Sequence, residues 1–157
     1  MIPFVDLKTQ YKSIQGEIKE EIGKVLEQTN FILGEPVAKF ESQFAEFCDS
    51  KYCIGVASGT DALHLALRAL NIGKADEVIT AANTFVATVL AISYVGAKPV
   101  LVDIDPKTYN LDLNEIEAKI TPNTKVIIPV HLYGRPVDMK RLMTLADKYN
   151  LQYRLEI

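Results

Sequence analysis

From residue 53 onward the chain alternates short, uninterrupted apolar runs with stretches of helical spacing, and this alternation most constrains its fold. The runs "CIGVA" (53–57), "EVITA" (77–81), "PVLVDI" (99–104) and "KVIIPVHL" (125–132) are rich in β-branched residues and lack polar alternation. Strands of that kind are covered on both faces, as in a mostly parallel sheet flanked by helices. Between them, residues 61–70, 85–96, 112–120 and 138–150 carry helical spacing. Right-handed crossovers then place ligands outside the carboxyl ends of the strands. Ser58, residues 82–85, Asp103 to Asp105 and residues 131–134 occupy those ends.

Ahead of the alternation lie two helical patterns. Ile14, Ile18, Ile22, Val25 and Leu26 share one face, and Val37, Phe40, Phe44 and Phe47 share another after the break at Gly34-Glu-Pro36. The expected organisation is an N-terminal helical segment over 1–50 and an α/β domain over 51–157. After the helix at 138–150 the pattern calls for a further strand, and "LQYRLEI" does not supply one. The sheet is therefore expected to be incomplete, with an open apolar edge.

The stretch "IGVASGTDALHLALRAL" (54–70) raises the sharpest chemical question. Amides at a helix N-terminus have no intrahelical acceptor, and the helix dipole favours an anion there. Gly59 would let an anion approach the main chain, and Ser58 and Thr60 could donate hydroxyl hydrogen bonds. The competing reading is ordinary capping of the helix by Ser58 or Thr60. Phe85 opens the next helix and could lay its ring on a flat ligand, although a first-turn phenylalanine more often enters the core. His131 reads as a hydrogen-bonded interior residue rather than a base. Asp103 and Asp105, before Pro106, read as turn caps. His64 receives no chemical role.

Composition narrows the classes. A net charge of −3 without a basic run disfavours nucleic acid and anionic membrane as partners. No apolar stretch reaches the roughly 18 residues of a membrane span, and the N-terminus does not read as a secretory leader. Two cysteines, Cys48 and Cys53, are too few for a structural zinc site and wrongly spaced for a redox pair. They read as reduced and partly buried in a cytoplasmic protein. Neither GxGxxG nor GxxxxGK[ST] occurs, which disfavours an unrelated nucleotide-binding α/β protein.

Taken together, "PFVDLKTQY", "FILGEPVAKFESQFAEFC", "IGVASGTDALHLALRAL", "DEVITAANTFVATVLAISYVGAKPVLVDID" and "VIIPVHLYGRPVDM" resemble, in order and spacing, the DegT/DnrJ/EryC1/StrS aminotransferases, from Pro3 to about Leu151. The resemblance implies part of the large domain of a fold-type I pyridoxal-phosphate enzyme, a family that aminates nucleotide-linked keto-deoxysugars. It implies glutamate as amino donor, a homodimer, and products that feed polysaccharide or glycoside synthesis. Gly59 and Thr60 match the positions that hold the cofactor phosphate, with Ser58 beside them, and Phe85 matches the aromatic that stacks on the pyridine ring.

The chain departs from the family pattern in three places. "GKAD" (73–76) stands where Gly-Pro-Gly-Asp is usual, and Ala57 stands where Asn or Ser often precedes Ser-Gly-Thr. Beyond residue 150 the family continues into a strand ending in Glu-Asp-Ala-Ala-Gln, then to the Schiff-base lysine and a small domain. Here Glu156 falls near that acidic position without matching its surroundings, and Lys140 and Lys148 lie too early to be the lysine. The expectation is a truncated chain that lacks the catalytic lysine, binds pyridoxal phosphate weakly if at all, and is inactive alone. The alternative is a non-catalytic remnant that binds an anion or a paralogous subunit.

Overall fold

The computed structural model describes residues 5–151. Pro3 and Glu156, which entered the comparison above, lie outside them. The chain divides into two compact units between Gly55 and Val56.

The first unit contains two helices, α1 (Leu7–Gln28) and α2 (Glu35–Phe47). Asp6 starts α1: one carboxylate oxygen accepts the Thr9 N–H at 3.1 Å and the other accepts its hydroxyl at 2.7 Å. Glu35 and Pro36 form the first turn of α2, where a missing N–H costs nothing. The expected apolar faces form but stay largely uncovered. Ile14, Ile22, Leu26, Phe40, Phe44 and Phe47 are exposed, and Ala45 is the one buried residue among those described in this unit. Cys48 is exposed and Cys53 half-buried, so the expected partial burial fails for Cys48. It is the C-cap residue of α2, next to the exposed Phe47.

The second unit is the expected α/β layer structure. It contains α3 (Gly59–Ala69), β1 (Glu77–Ala81), α4 (Val86–Tyr94), β2 (Lys98–Val102), α5 (Leu113–Lys119), β3 (Thr124–Ile128), a 3₁₀ turn (Leu132–Gly134) and α6 (Met139–Lys148). The three strands form a parallel sheet in the order β2-β1-β3. Central β1 is buried along its whole length. Successive side chains of a strand face opposite ways, so the sheet feeds two cores. Val78, Val126 and Ile128 pack with Leu63, Leu67 and Ile92 of α3 and α4. Ile79, Ala81 and Ile127 pack with Ile116, Leu142 and Ala146 of α5 and α6. Each fully buried Leu or Ile contributes roughly 1.5–3 kcal/mol, and Leu67, Ile79, Ile92 and Ile127 are all in that state.

One expected strand is not observed. Residues 53–57 form no strand, and Ile54 is 78% exposed. A strand exists only when a neighbour accepts and donates its ladder hydrogen bonds, and no described strand pairs with this run. Its apolar composition signals a buried strand, but composition does not supply the pairing edge. The run at 125–132 is also shorter than expected: the ladder ends at Ile128, which leaves His131 in the following loop.

Candidate functional site

The carboxyl ends of the strands face a cleft of about 440 Å³ within the second unit. Its walls come from three places: the first turn of α3 with Gly59, Thr60 and Leu63; the start of α4 with Thr84, Phe85, Ala87 and Thr88; and the loop after β3 with residues 130–133. Two helices thus begin at one cavity, and both dipoles favour negative charge there.

At α3, Ser58 is the N-cap. Its hydroxyl oxygen accepts the Asp61 N–H at 3.1 Å, and its carbonyl accepts the Ala62 N–H at 3.0 Å. Among the described residues nothing accepts from the Gly59 or Thr60 N–H, and both residues line the cleft. The capping and anion readings therefore hold together, on different atoms. Ser58 serves the helix while keeping its own O–H proton to donate, and the next two amides remain open. An ideal Cβ built on Gly59 meets nothing within 4 Å, so a ligand has room to reach that backbone.

At α4, Phe85 occupies the N-cap position with no side-chain hydrogen bond to the helix. Ser, Thr, Asp or Asn there would satisfy an orphan amide. Instead the ring is 75% exposed, so the interior position that first-turn phenylalanines usually take does not apply. The hydroxyls of Thr84 and Thr88, on either side of Phe85 in sequence, bond each other at 2.8 Å.

His131 is half-buried in the cleft wall, and its Nδ1 accepts the Val137 N–H at 3.1 Å. In the neutral ring that leaves the proton on Nε2. The expected hydrogen-bonded role is observed, and the residue stands at the cleft, in keeping with its expected place at a strand end. Asp103 accepts the Ile104 N–H, and Asp105 accepts the Lys107 and Thr108 N–H groups, so both act as turn caps. His64 meets Tyr94 edge to face at 5.9 Å, away from the cleft lining. Lys148 pairs with Glu117, which holds that carboxyl below its ordinary range and raises the ammonium's pKa. Neither Lys140 nor Lys148 lines the cleft. No metal-binding cluster of His, Cys, Asp or Glu occurs among the described residues.

The donor set suits the phosphate of pyridoxal phosphate. Two open amides and the Thr60 hydroxyl stand at a helix start, no carboxylate lines the cavity to repel a dianion, and an exposed ring stands beside them. Sequence reasoning brought Gly59, Thr60 and Phe85 to this place. It did not single out Thr84, Thr88 or Tyr133, although residues 131–134 were placed at a strand end. A tyrosine before a loop glycine carries no periodic signal.

Comparison with known proteins shows the family. Residues 12–153 match the family model described as the DegT/DnrJ/EryC1/StrS aminotransferase family. The chain is 52% identical over 152 residues to a dTDP-3-amino-3,6-dideoxy-alpha-D-galactopyranose transaminase of Aneurinibacillus thermoaerophilus, covering 97% of this chain and 42% of that protein. The crystal structure of S. venezuelae DesV in complex with a ketimine intermediate superposes with a TM-score of 0.94 at 43% identity, over 97% of this chain and 41% of DesV. NtdA of Bacillus subtilis with bound cofactor PMP gives a TM-score of 0.93 at 37% identity, over 97% of this chain and 35% of that one. The chain thus spans about two-fifths of the length of these relatives. It belongs to the DegT/DnrJ/EryC1/StrS aminotransferase family.

Proposed function

We propose that this chain supplies the phosphate-holding and ring-stacking part of a pyridoxal-phosphate-dependent aminotransferase that acts on nucleotide-linked keto-deoxysugars. The observation that carries the reading is the meeting of open amides at Gly59 and Thr60 with the exposed, uncapped Phe85 in one cleft. Gly59, Thr60 and, through its hydroxyl proton, Ser58 hold the phosphate; Phe85 covers one face of the ring. His131 and Leu132 line the same cleft. When bound, the cofactor supplies the electron sink for amino transfer, with glutamate as the proposed donor. The substrate class is inferred from the A. thermoaerophilus relative, a dTDP-3-amino-3,6-dideoxy-alpha-D-galactopyranose transaminase.

The last lysine of the sequence is Lys148, on α6 and engaged with Glu117. The 157-residue chain by itself is therefore proposed to be inactive, with the covalent lysine supplied by sequence equivalent to the remainder of its relatives. A cytoplasmic location and a homodimer belong to the same reading. The free thiols of Cys48 and Cys53 support the first. The uncovered apolar face of α2 supports the second. No helix among the described residues is long and apolar enough to cross a membrane.

A chimera tests the proposal. Residues 1–157 are joined to the remaining part of the A. thermoaerophilus relative and assayed with glutamate and a dTDP-linked keto-sugar. Transfer is expected, with Thr60→Val and Phe85→Ala each lowering it about 10-fold or more, the scale of one lost hydrogen bond or stacking contact. A folded chimera that takes up no cofactor, or that is indifferent to both substitutions, overturns it.

A further inference from the structure

Two tyrosines near the cleft hold a backbone conformation that residues with side chains rarely adopt. Tyr109 has φ +60° and Tyr133 φ +57°. Among the described residues, six others with side chains share that conformation: Leu33 in a bend, Ala75 in a turn, and Thr29, Asp49, Asn71 and Asn150, each of which closes an α-helix, where a left-handed residue is routine. Neither tyrosine does so. Tyr109 lies in the loop between β2 and α5, and Tyr133 lies inside the 3₁₀ turn after β3. Their side chains add little to the core, being 54% and 85% exposed. The rings meet edge to face, with centroids 6.4 Å apart at 75°. Strain that persists at exposed aromatic residues is held by its surroundings, and it motivates a functional hypothesis.

Those surroundings are visible. The Tyr109 N–H donates to the Asp105 carbonyl at 2.8 Å, and Asn83 Nδ2 donates to the Tyr109 carbonyl at 3.2 Å. Next to Tyr109, Asn110 is 5% exposed, and its Nδ2 donates to the carbonyls of Arg135 and Pro136, each at 3.0 Å. This amide ties the Tyr109 loop to the loop that carries Tyr133. Its Oδ1 has no partner, a cost the fold carries to keep the tie. The aromatic pair is therefore preformed. Tyr133 lines the cleft beside Phe85, whereas Thr108 and Asn110, which flank Tyr109, line a separate polar pocket of about 300 Å³. The pair forms the ridge between the two.

Resting on the function proposed above, we propose that Tyr133, backed by Tyr109, is the stacking surface for the nucleobase of the nucleotide-linked sugar whose sugar end enters the cleft. A rigid, exposed ring offers its face at low entropic cost, and every base has a π-face to lay on it. The polar pocket behind the ridge mixes Arg135 and Arg141 with Asp105, Asp112 and Asp138, so it does not draw the diphosphate away. Recognition by stacking tolerates different bases, so thymidine and uridine nucleotides bind alike.

The test titrates thymidine 5′-diphosphate into the chain with its tyrosine rings labelled for NMR. The expected result is movement of the Tyr133 and Tyr109 ring signals, affinity cut about tenfold by Tyr133→Ala, and affinity kept within about twofold by Tyr133→Phe, which retains the ring. Tyr133 is exposed, so both variants are expected to fold, and circular dichroism checks this. No binding, equal affinity in Tyr133→Ala, or full displacement by inorganic pyrophosphate would each overturn the proposal. Pyridoxamine 5′-phosphate titrated into the unmodified chain reports the cofactor reading separately. If it binds and the diphosphate does not, only the tyrosine assignment fails. If the diphosphate binds through Tyr133 and it does not, the cofactor reading fails and the stacking surface stands.

Discussion

Phe85 breaks a local rule in the place where a ligand would use the break. An N-cap residue ordinarily accepts an amide of its helix, and a phenyl ring accepts none. Phe85→Ser is accordingly expected to stabilise the chain by about 1 kcal/mol in urea unfolding while removing the ring face. Tyr133 departs from preference in the same way. At φ +57° a glycine is relaxed and a tyrosine is not, so Tyr133→Gly is expected to stabilise by about 1 kcal/mol. Loss of stability in either variant would mean that the side chain is structural. Glu77 shows the opposite case, a buried polar group fully used by the fold. Its carboxylate accepts from Lys98 Nζ at 2.8 Å and from Thr121 Oγ1 at 2.6 Å, and these bonds hold its pKa below the ordinary 4.5. A lowered folded-state pKa contributes stability above the unfolded value and loses it as pH falls through the folded one. Glu77→Gln is thus expected to cost about 1–2 kcal/mol at neutral pH. Unfolding measured at several pH values should show that gap closing below the ordinary carboxylate range, and a pH-independent gap would contradict the assignment.

Among the elements, those whose partners lie within the chain were legible from their residues. The run at 77–81 reads as a buried strand and is one, because β2 and β3 flank it and helices cover both faces. The run at 53–57 reads the same way but is exposed from Ile54 onward and joins no strand, since apolar composition reports the wish for burial and not the presence of an edge to join. The Gly55 N–H donates to the Glu41 carboxylate at 2.7 Å, but the amides of Ile54, Val56 and Ala57 are expected to exchange with solvent far faster than those of Glu77–Ala81, and comparable protection would contradict the absence of pairing. The loops hid more than the helices did. Ser58, Asp112 and Asp138 announce helix starts by residue type, and each caps its helix. Asn110, by contrast, is an ordinary loop residue in sequence and a tie between two loops in space. Asn110→Ala is expected to cost about 1–3 kcal/mol, the scale for breaking buried hydrogen bonds and leaving their acceptors unpaired. Amides of residues 131–137 should lose protection along with it.

For the molecule as a whole, the layered architecture follows from alternation and handedness alone, and the structure has it, with a cleft at the strand ends where those rules look for a ligand. What those rules leave out is the choice between capping and ligand binding at 58–60 and between core and stacking for Phe85. Spacing is identical in both cases, and only three-dimensional placement separates the atoms that are used from those left open. Half of a cofactor cavity, with two open amides and one ring face, is the account's central claim. It is tested most directly by titrating ¹⁵N-labelled chain with pyridoxamine 5′-phosphate, which has no aldehyde to react with lysines. The account predicts the largest amide shifts at Gly59 and Thr60, with ring-current shifts at the start of α4, and much smaller effects from pyridoxamine lacking the phosphate. Shifts scattered over surface lysines, or none at Gly59 and Thr60 at saturating ligand, would contradict it.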